Sequence, residues 1–309
     1  METIAVIGAG LMGHGIAQVF AAHGHPVWVQ DVNSEMLATV RERVRSNLTR
    51  MAEYGLVEQG EIPTILDRIT VTSDLAQACR PADVVVEAVS ENLALKQQLF
   101  VELDRLCPEP AILCSNTSVI SITQIGEQAA RRQRILGTHF WNPPFLVSLV
   151  EVVRTERTDP ACIEAVYNLL LRVGKTPVRV NKDVPGFIGN RMQHALWREA
   201  FAIVDEGICD AETVDIAVRN SFGMRLPVLG PVANADLIGL DLTLAIHEYI
   251  LKHLNASPVP SSTLREQVEQ NLLGFKTGRG FLHWTSDSIQ ATRDQLTTHL
   301  LEALARRVV

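Results

Sequence analysis

Up to Pro185 the chain alternates short β-branched apolar runs with longer stretches whose apolar residues recur at helical spacing. Residues 3–7 form a β-rich run that ends in glycines. Residues 11–23 follow as a helix with Ile16, Val19 and Phe20 on one face, broken at His25-Pro26. Residues 27–30 predict a second strand ending at Asp31. A long helix is expected over 34–54, continuing as a short piece near 62–66. The run at 84–89 is apolar without alternation, as in a strand covered on both faces. Strands are further expected at 111–114, 134–140, 149–153 and 176–180, with helices at 93–106, 121–130 and 160–173 between them. This alternation predicts an α/β fold with a doubly wound parallel sheet of the Rossmann type.

After Pro185 the strand pattern stops. Residues 187–206, 211–220, 234–254 and 262–272 read as helices, with Asp210 and Ser261 as N-caps whose side-chain oxygens can accept first-turn amides. The segment Asn181-Lys182-Asp183-Val184-Pro185-Gly186 is the expected junction. It gives an α/β domain over 1–184 and an all-α domain over 185–309.

Composition narrows the function classes. A hydrophobic fraction of 47% supports a buried core, and a net charge of -7 disfavours a nucleic-acid partner. The five cysteines form no C-x-x-C pair and have no histidine at metal-ligand spacing, so neither a disulfide scaffold nor a metal site is expected. The first residues lack a signal-peptide pattern and no apolar stretch is long enough to cross a bilayer. The expectation is a soluble cytoplasmic protein without a membrane partner.

Residues 8–13 read GAGLMG, with Gly8, Gly10 and Gly13 forming G-x-G-x-x-G around Leu11 and Met12. The motif lies between an expected strand and an expected helix, and Asp31 ends the next strand 18 positions after Gly13. In this context Gly8 permits the tight turn, Gly10 lets the backbone approach a pyrophosphate, and Gly13 lets helix and strand pack closely. The helix N-terminus offers free amides to phosphate. Asp31 can accept both hydroxyls of an adenosine ribose and would repel a 2′-phosphate, which selects NAD over NADP. FAD uses the same fingerprint, but the residues that follow favour a nicotinamide.

A dehydrogenase acting on an alcohol needs a base for the hydroxyl proton. Among nine histidines, His139 stands apart because it ends an apolar strand, where ligands bind in parallel sheets. Glu151 lies inside the apolar run Leu149-Val150-Glu151-Val152-Val153, where a carboxylate requires a partner. If the strands are neighbours, Glu151 can fix the His139 tautomer, although a structural ion pair or an edge glutamate fits the same pattern. Ser118 could bond a substrate oxygen or cap a helix. Asn190 could close over the site or pack the junction.

The ordered motifs GAGLMGHGIAQ, VEAVSENLALK, SNTS, THFWNPP with LVEVV, DVPGFIGNR and GFKTGRGF resemble the 3-hydroxyacyl-CoA dehydrogenase family over nearly the whole chain. The resemblance implies a homodimer formed through the helical domain, an active site in the interdomain cleft and a place in fatty-acid metabolism. It implies that His139 is the general base with Glu151 as its partner, and that Ser118 and Asn190 hold the substrate oxygen and nicotinamide region. It further implies NAD contacts at Asp31, Glu91, Lys96, Ser118, Asn142 and Lys276. A short-chain 3-hydroxyacyl-CoA is the substrate it suggests.

Two features depart from that pattern. The stretch Asn47-Leu48-Thr49-Arg50-Met51-Ala52-Glu53-Tyr54, where the family docks CoA phosphates, has only Arg50 as a basic residue. The glycine–proline turn of the second domain is lengthened to 222–231. Both look more like relatives that oxidise free carboxylates such as L-gulonate, carnitine or a pyridine carboxylate. There Arg225 would be a bidentate carboxylate clamp, or else an ion-pairing residue at the dimer interface. A third class, a crystallin-like protein that binds NAD without turnover, is disfavoured by the intact His139 and Glu151.

Overall fold

The computed structural model describes residues 1–308; Val309, the end of the expected second domain, lies outside them. The chain divides into two compact units, Met1–Arg191 with the C-terminal segment from Leu296, and Met192–Gln295. The sequence reading gave everything after residue 184 to the second domain. In the structure the end of the last helix groups with the first unit.

In the first unit, β1 (Ile4–Ile7), α1 (Gly13–Ala22), β2 (Val27–Gln30) and α2 (Ser34–Ala52) follow the sequence pattern closely. Next come α3 (Ile62–Asp67), β3 (Ile69–Thr72), α4 (Leu75–Cys79), β4 (Val84–Glu87) and α5 (Leu93–Leu106). The unit continues with β5 (Ile112–Ser115), α6 (Ile122–Ile125), β6 (Ile135–Phe140), β7 (Leu149–Val153), α7 (Pro160–Arg172) and β8 (Thr176–Val180). Helix α8 (Gly189–Asp205) then begins.

The eight strands form one sheet in the order β3-β2-β1-β4-β5-β6-β7-β8. Successive β1 residues alternate between its faces. Ile4 and Val6 pack with Ile16, Val40, Val44 and Leu170, whereas Ala5 and Ile7 pack with Phe100, Leu103, Ile122 and Ile125. Covering both faces explains why the central strands read as continuous apolar runs. The chain order reverses direction at β1 and β4, which opens the crevice beyond their carboxyl ends where open α/β sheets bind ligands.

The expectation of a parallel sheet is corrected at one place. β6 and β7 pair antiparallel, with His139 opposite Glu151. The reason is the length of their connection, residues 141–148. A parallel return needs a crossover of a dozen or more residues, usually helical, and this loop cannot supply it. Strand β3 and helix α4 had no expectation, and the helix expected over 121–130 contracts to Ile122–Ile125.

The second unit is helical, with α9 (Ala211–Arg219), α10 (Pro231–Ile238), α11 (Leu240–Ile250) and α12 (Ser262–Glu269), followed by the start of α13 (Ser286–Val308). Asp210 and Ser261 cap α9 and α12 through bonds from the Thr213 and Leu264 amides. The single helix expected over 234–254 is split by Gly239, whose φ of +100° only glycine adopts without strain.

The tightest packing lies in the glycine turn. A Cβ on Gly13 would stand 1.8 Å from the Gly8 carbonyl oxygen, and Gly8 itself has a φ of +105°. Gly13→Ala should therefore destabilise the first unit by about 3 kcal/mol, measured by urea unfolding, since backbone cannot yield as a flexible side chain can. Unchanged stability would show that α1 is not held against this turn.

Candidate active site

The antiparallel β6–β7 pair brings two of the expected site residues together. His139 is the penultimate residue of β6 and Glu151 the third of β7; both are buried, at 4% and 0% exposure. His139 Nδ1 lies 2.7 Å from Glu151 Oε2. The other carboxylate oxygen accepts the amides of Ile188 and Gly189, at 2.8 and 3.0 Å, and Trp141 Nε1 approaches Oε2 at 3.3 Å. Burial alone would raise the Glu151 pKa. Hydrogen bonds from His139 and from the Gly189 and Ile188 amides outweigh it and hold the carboxyl below its ordinary range. An ionised Glu151 only accepts, so His139 Nδ1 carries the proton and donates, and Nε2 is left as the basic nitrogen.

The ring packs against Trp141 and Phe187, with centroids at 5.3 and 5.8 Å. Phe187 has a φ of +48°, a left-handed conformation that costs about 1 kcal/mol or more in a non-glycine residue. The two amides that follow it are those bonded to Glu151, so the carboxylate holds this turn in place. Gly189 is required there, because a Cβ would meet Trp141 Cζ2 at 2.4 Å.

Ser118 and Asn190 come together, with Asn190 Nδ2 donating to the Ser118 carbonyl at 3.0 Å. The Ser118 amide donates to Glu91 Oε1 at 3.0 Å, so Glu91 shapes the SNTS turn. Lys96, expected at the cofactor, is 1% exposed and holds Glu87 Oε1 at 2.6 Å and Glu91 Oε2 at 3.4 Å. Asn142 is exposed at a cis peptide bond to Pro143. Arg225 and Lys276 lie in the second unit and are exposed.

The glycine loop fits a dinucleotide. Met12, the N-cap of α1, provides no capping side chain. Among the described residues the amides of Gly10, Leu11 and Met12 have no hydrogen-bond acceptor. The space a Cβ on Gly10 would occupy has no atom within 4 Å, which leaves room for phosphate oxygens. Asp31 accepts the Ala9 amide at 2.7 Å and the Asn33 amide at 2.9 Å, and it keeps lone pairs for ribose hydroxyls.

Comparison with known proteins decides the family. The model of the 3-hydroxyacyl-CoA dehydrogenase NAD binding domain matches residues 3–184, and that of the C-terminal domain matches residues 186–284. The chain belongs to the 3-hydroxyacyl-CoA dehydrogenase family. It is an NAD-dependent oxidoreductase.

This 3-hydroxyacyl-CoA dehydrogenase family member is 41% identical to a probable 3-hydroxybutyryl-CoA dehydrogenase of Bacillus subtilis, over 91% of this chain and 96% of the relative. Among solved structures it resembles a 5-formyl-3-hydroxy-2-methylpyridine 4-carboxylic acid 5-dehydrogenase, described as an NAD+-dependent dismutase. That likeness has a TM-score of 0.91 at 30% identity and covers 100% of this chain and 98% of the other. It also resembles (S)-3-hydroxybutyryl-CoA dehydrogenase from Ralstonia eutropha, with a TM-score of 0.78 at 35% identity over 93% and 100% of the two chains.

Four supporting residues had no expectation. Glu87 is fully buried and binds Lys96 and Ser115. Asn116 accepts the Phe140 amide at 2.8 Å, which steadies the end of β6. Asp183 caps α6 through Ser121, Ile122 and Thr123. Lys175 is 8% exposed and donates to the carbonyls of Pro144 and Val147; burial lowers its pKa to about 8. Glu87 left a trace in the sequence as the charge inside the apolar run at 84–89.

The depressed Glu151 pKa sets a pH dependence. A carboxylate stabilised in the folded state contributes fully above its ordinary value of 4.5, and the contribution is lost as pH falls through the lower folded value. The stability gap between the natural chain and Glu151→Gln should therefore shrink as pH falls below 4.5. A gap unchanged on acidification below that value would refute an ionised Glu151.

Proposed function

We propose that this chain interconverts a short-chain 3-hydroxyacyl-CoA and its 3-ketoacyl-CoA with NAD, using His139 as the general base. The observation that carries this reading is the buried 2.7 Å bond from His139 Nδ1 to Glu151, which leaves Nε2 free to take a proton at the end of the sheet. Held by the glycine loop and Asp31, NAD would supply the hydride acceptor for the C3 carbon. His139 Nε2 takes the hydroxyl proton as the hydride leaves, and Glu151 stabilises the resulting imidazolium. The Ser118 hydroxyl and the Asn190 amide orient the substrate oxygen, with Asn190 held through the Ser118 carbonyl. Asp31 receives the adenosine ribose beside the glycine loop. The 41% identity to a probable 3-hydroxybutyryl-CoA dehydrogenase supports the CoA thioester.

A second reading, a free hydroxy carboxylate, is supported by the full-length likeness to the pyridine-carboxylate enzyme, with its TM-score of 0.91. In that case Arg225 binds the carboxylate. The deciding assay follows NADH at 340 nm with acetoacetyl-CoA, and NAD with L-gulonate, L-carnitine and 3-hydroxybutyrate. The thioester should turn over, and His139→Gln should lower that rate by about 100-fold or more while NADH binding changes little. Turnover of free acids alone would transfer the assignment to the second reading. Arg225→Met should then raise KM at least about tenfold. Activity surviving His139→Gln would remove the proposed base.

The helical unit also supports a dimer. Val232, Leu237, Leu240, Leu244 and Tyr249 on α10 and α11 are 61% to 76% exposed, an apolar surface suited to a second copy of the chain. Light scattering at micromolar concentration should give twice the 34.1 kDa chain mass, and a monomer would contradict this.

A further inference from the structure

The glycine loop is gripped from beneath by a side chain that the NAD-binding motif does not include. Arg43, in the middle of α2, places Nη2 2.6 Å from the Ala9 carbonyl and Nη1 3.3 Å from the Gly10 carbonyl. It also reaches the Met36 carbonyl at 3.4 Å and stands 3.2 Å from His14 Nδ1. His14 Nδ1 is in turn 2.9 Å from the Gly10 oxygen, so the imidazole closes the remaining side of the contact. Burial keeps the His14 pKa below its ordinary value against the pull of the Gly10 carbonyl, and the Arg43 charge acts in the same direction, so the brace holds one cation.

Peptide geometry gives these bonds a consequence. The Ala9 carbonyl and the Gly10 amide share one rigid trans plane and point in opposite directions, as do the Gly10 carbonyl and the Leu11 amide. Drawing both oxygens towards Arg43 turns both amides away from it. These are two of the amides that have no acceptor, at the glycine whose Cβ direction is open. Asp31 fixes the preceding amide, that of Ala9, so the Ala9 residue is held at its N–H by an anion and at its C=O by a cation. A planar guanidinium can hold two carbonyls at once; an ammonium is a point donor and cannot reproduce that fork.

We propose that Arg43 is the positioning residue for the pyrophosphate of NAD, acting through the Ala9 and Gly10 carbonyls to aim the loop amides at the phosphates. Arg43 itself need not touch the cofactor. Its effect is to prevent the two peptides from flipping and presenting oxygen to an anion.

The test measures binding of NADH and of ADP-ribose, which keeps the pyrophosphate and lacks the nicotinamide, to Arg43→Met and Arg43→Lys in the full chain. Arg43→Met should raise Kd about tenfold or more for both ligands, and Arg43→Lys should fall between it and the natural chain. The KM for NADH should rise with Kd while kcat at saturating NADH stays within about twofold, a split that general loosening of the fold would not give. Unchanged Kd values, a loss seen with NADH but not ADP-ribose, or a parallel fall in kcat would each overturn the proposal. If Arg43→Met does not fold, Arg43→Lys carries the same criteria. A lysine variant that binds ADP-ribose as the natural chain does would then refute it.

Discussion

The site depends on one buried charge. Glu151 sits at 0% exposure in a strand that is otherwise apolar, where an unpartnered carboxylate would cost several kcal/mol. Four donors meet that requirement: the His139 ring, the Trp141 indole and the amides of Ile188 and Gly189. The donors come from two stretches of chain, the end of β6 and the turn that leads into α8. The carboxylate therefore fixes more than the histidine tautomer. It determines where the β6–β7 loop begins, holds Phe187 in its left-handed turn and sets the first residues of α8.

Antiparallel pairing of β6 and β7 makes this possible. In the register found, His139 and Glu151 are direct cross-strand partners. A one-residue slip would send one side chain to the opposite face of the sheet. The dyad is thus a product of strand order and loop length as much as of residue type. Glu87, Lys96 and Glu91 form a second network that steadies the turns after β4 and β5, and Asn116 steadies the end of β6.

Much of this was legible in the sequence, in the places where one local rule sufficed. The glycine turn, Asp31, the apolar central strands and the caps at Asp210 and Ser261 each follow from a few neighbouring residues. The dyad was legible as two unusual residues in apolar runs, but their pairing required knowing that the strands adjoin. What escaped was decided by distant contacts or by a single backbone angle. Strand β3 is only four residues long and its pattern is half exposed, so its apolar signal is weak. Gly239 divides a helix whose periodicity runs straight through it. Lys96 was expected at the cofactor, and only the fold shows that two carboxylates hold it.

The way His139 is enclosed bears on how protons travel. With Nδ1 committed to Glu151 and the ring packed against Trp141 and Phe187, Nε2 is the nitrogen left for exchange. A proton gained there has no rear exit through the carboxylate, whose oxygens are all engaged. In the proposed reaction that proton would have to depart from the nitrogen on which it arrived. The imidazole would then return to its basic form only after the guest beside Nε2 had left, which ties each proton's release to the release of product.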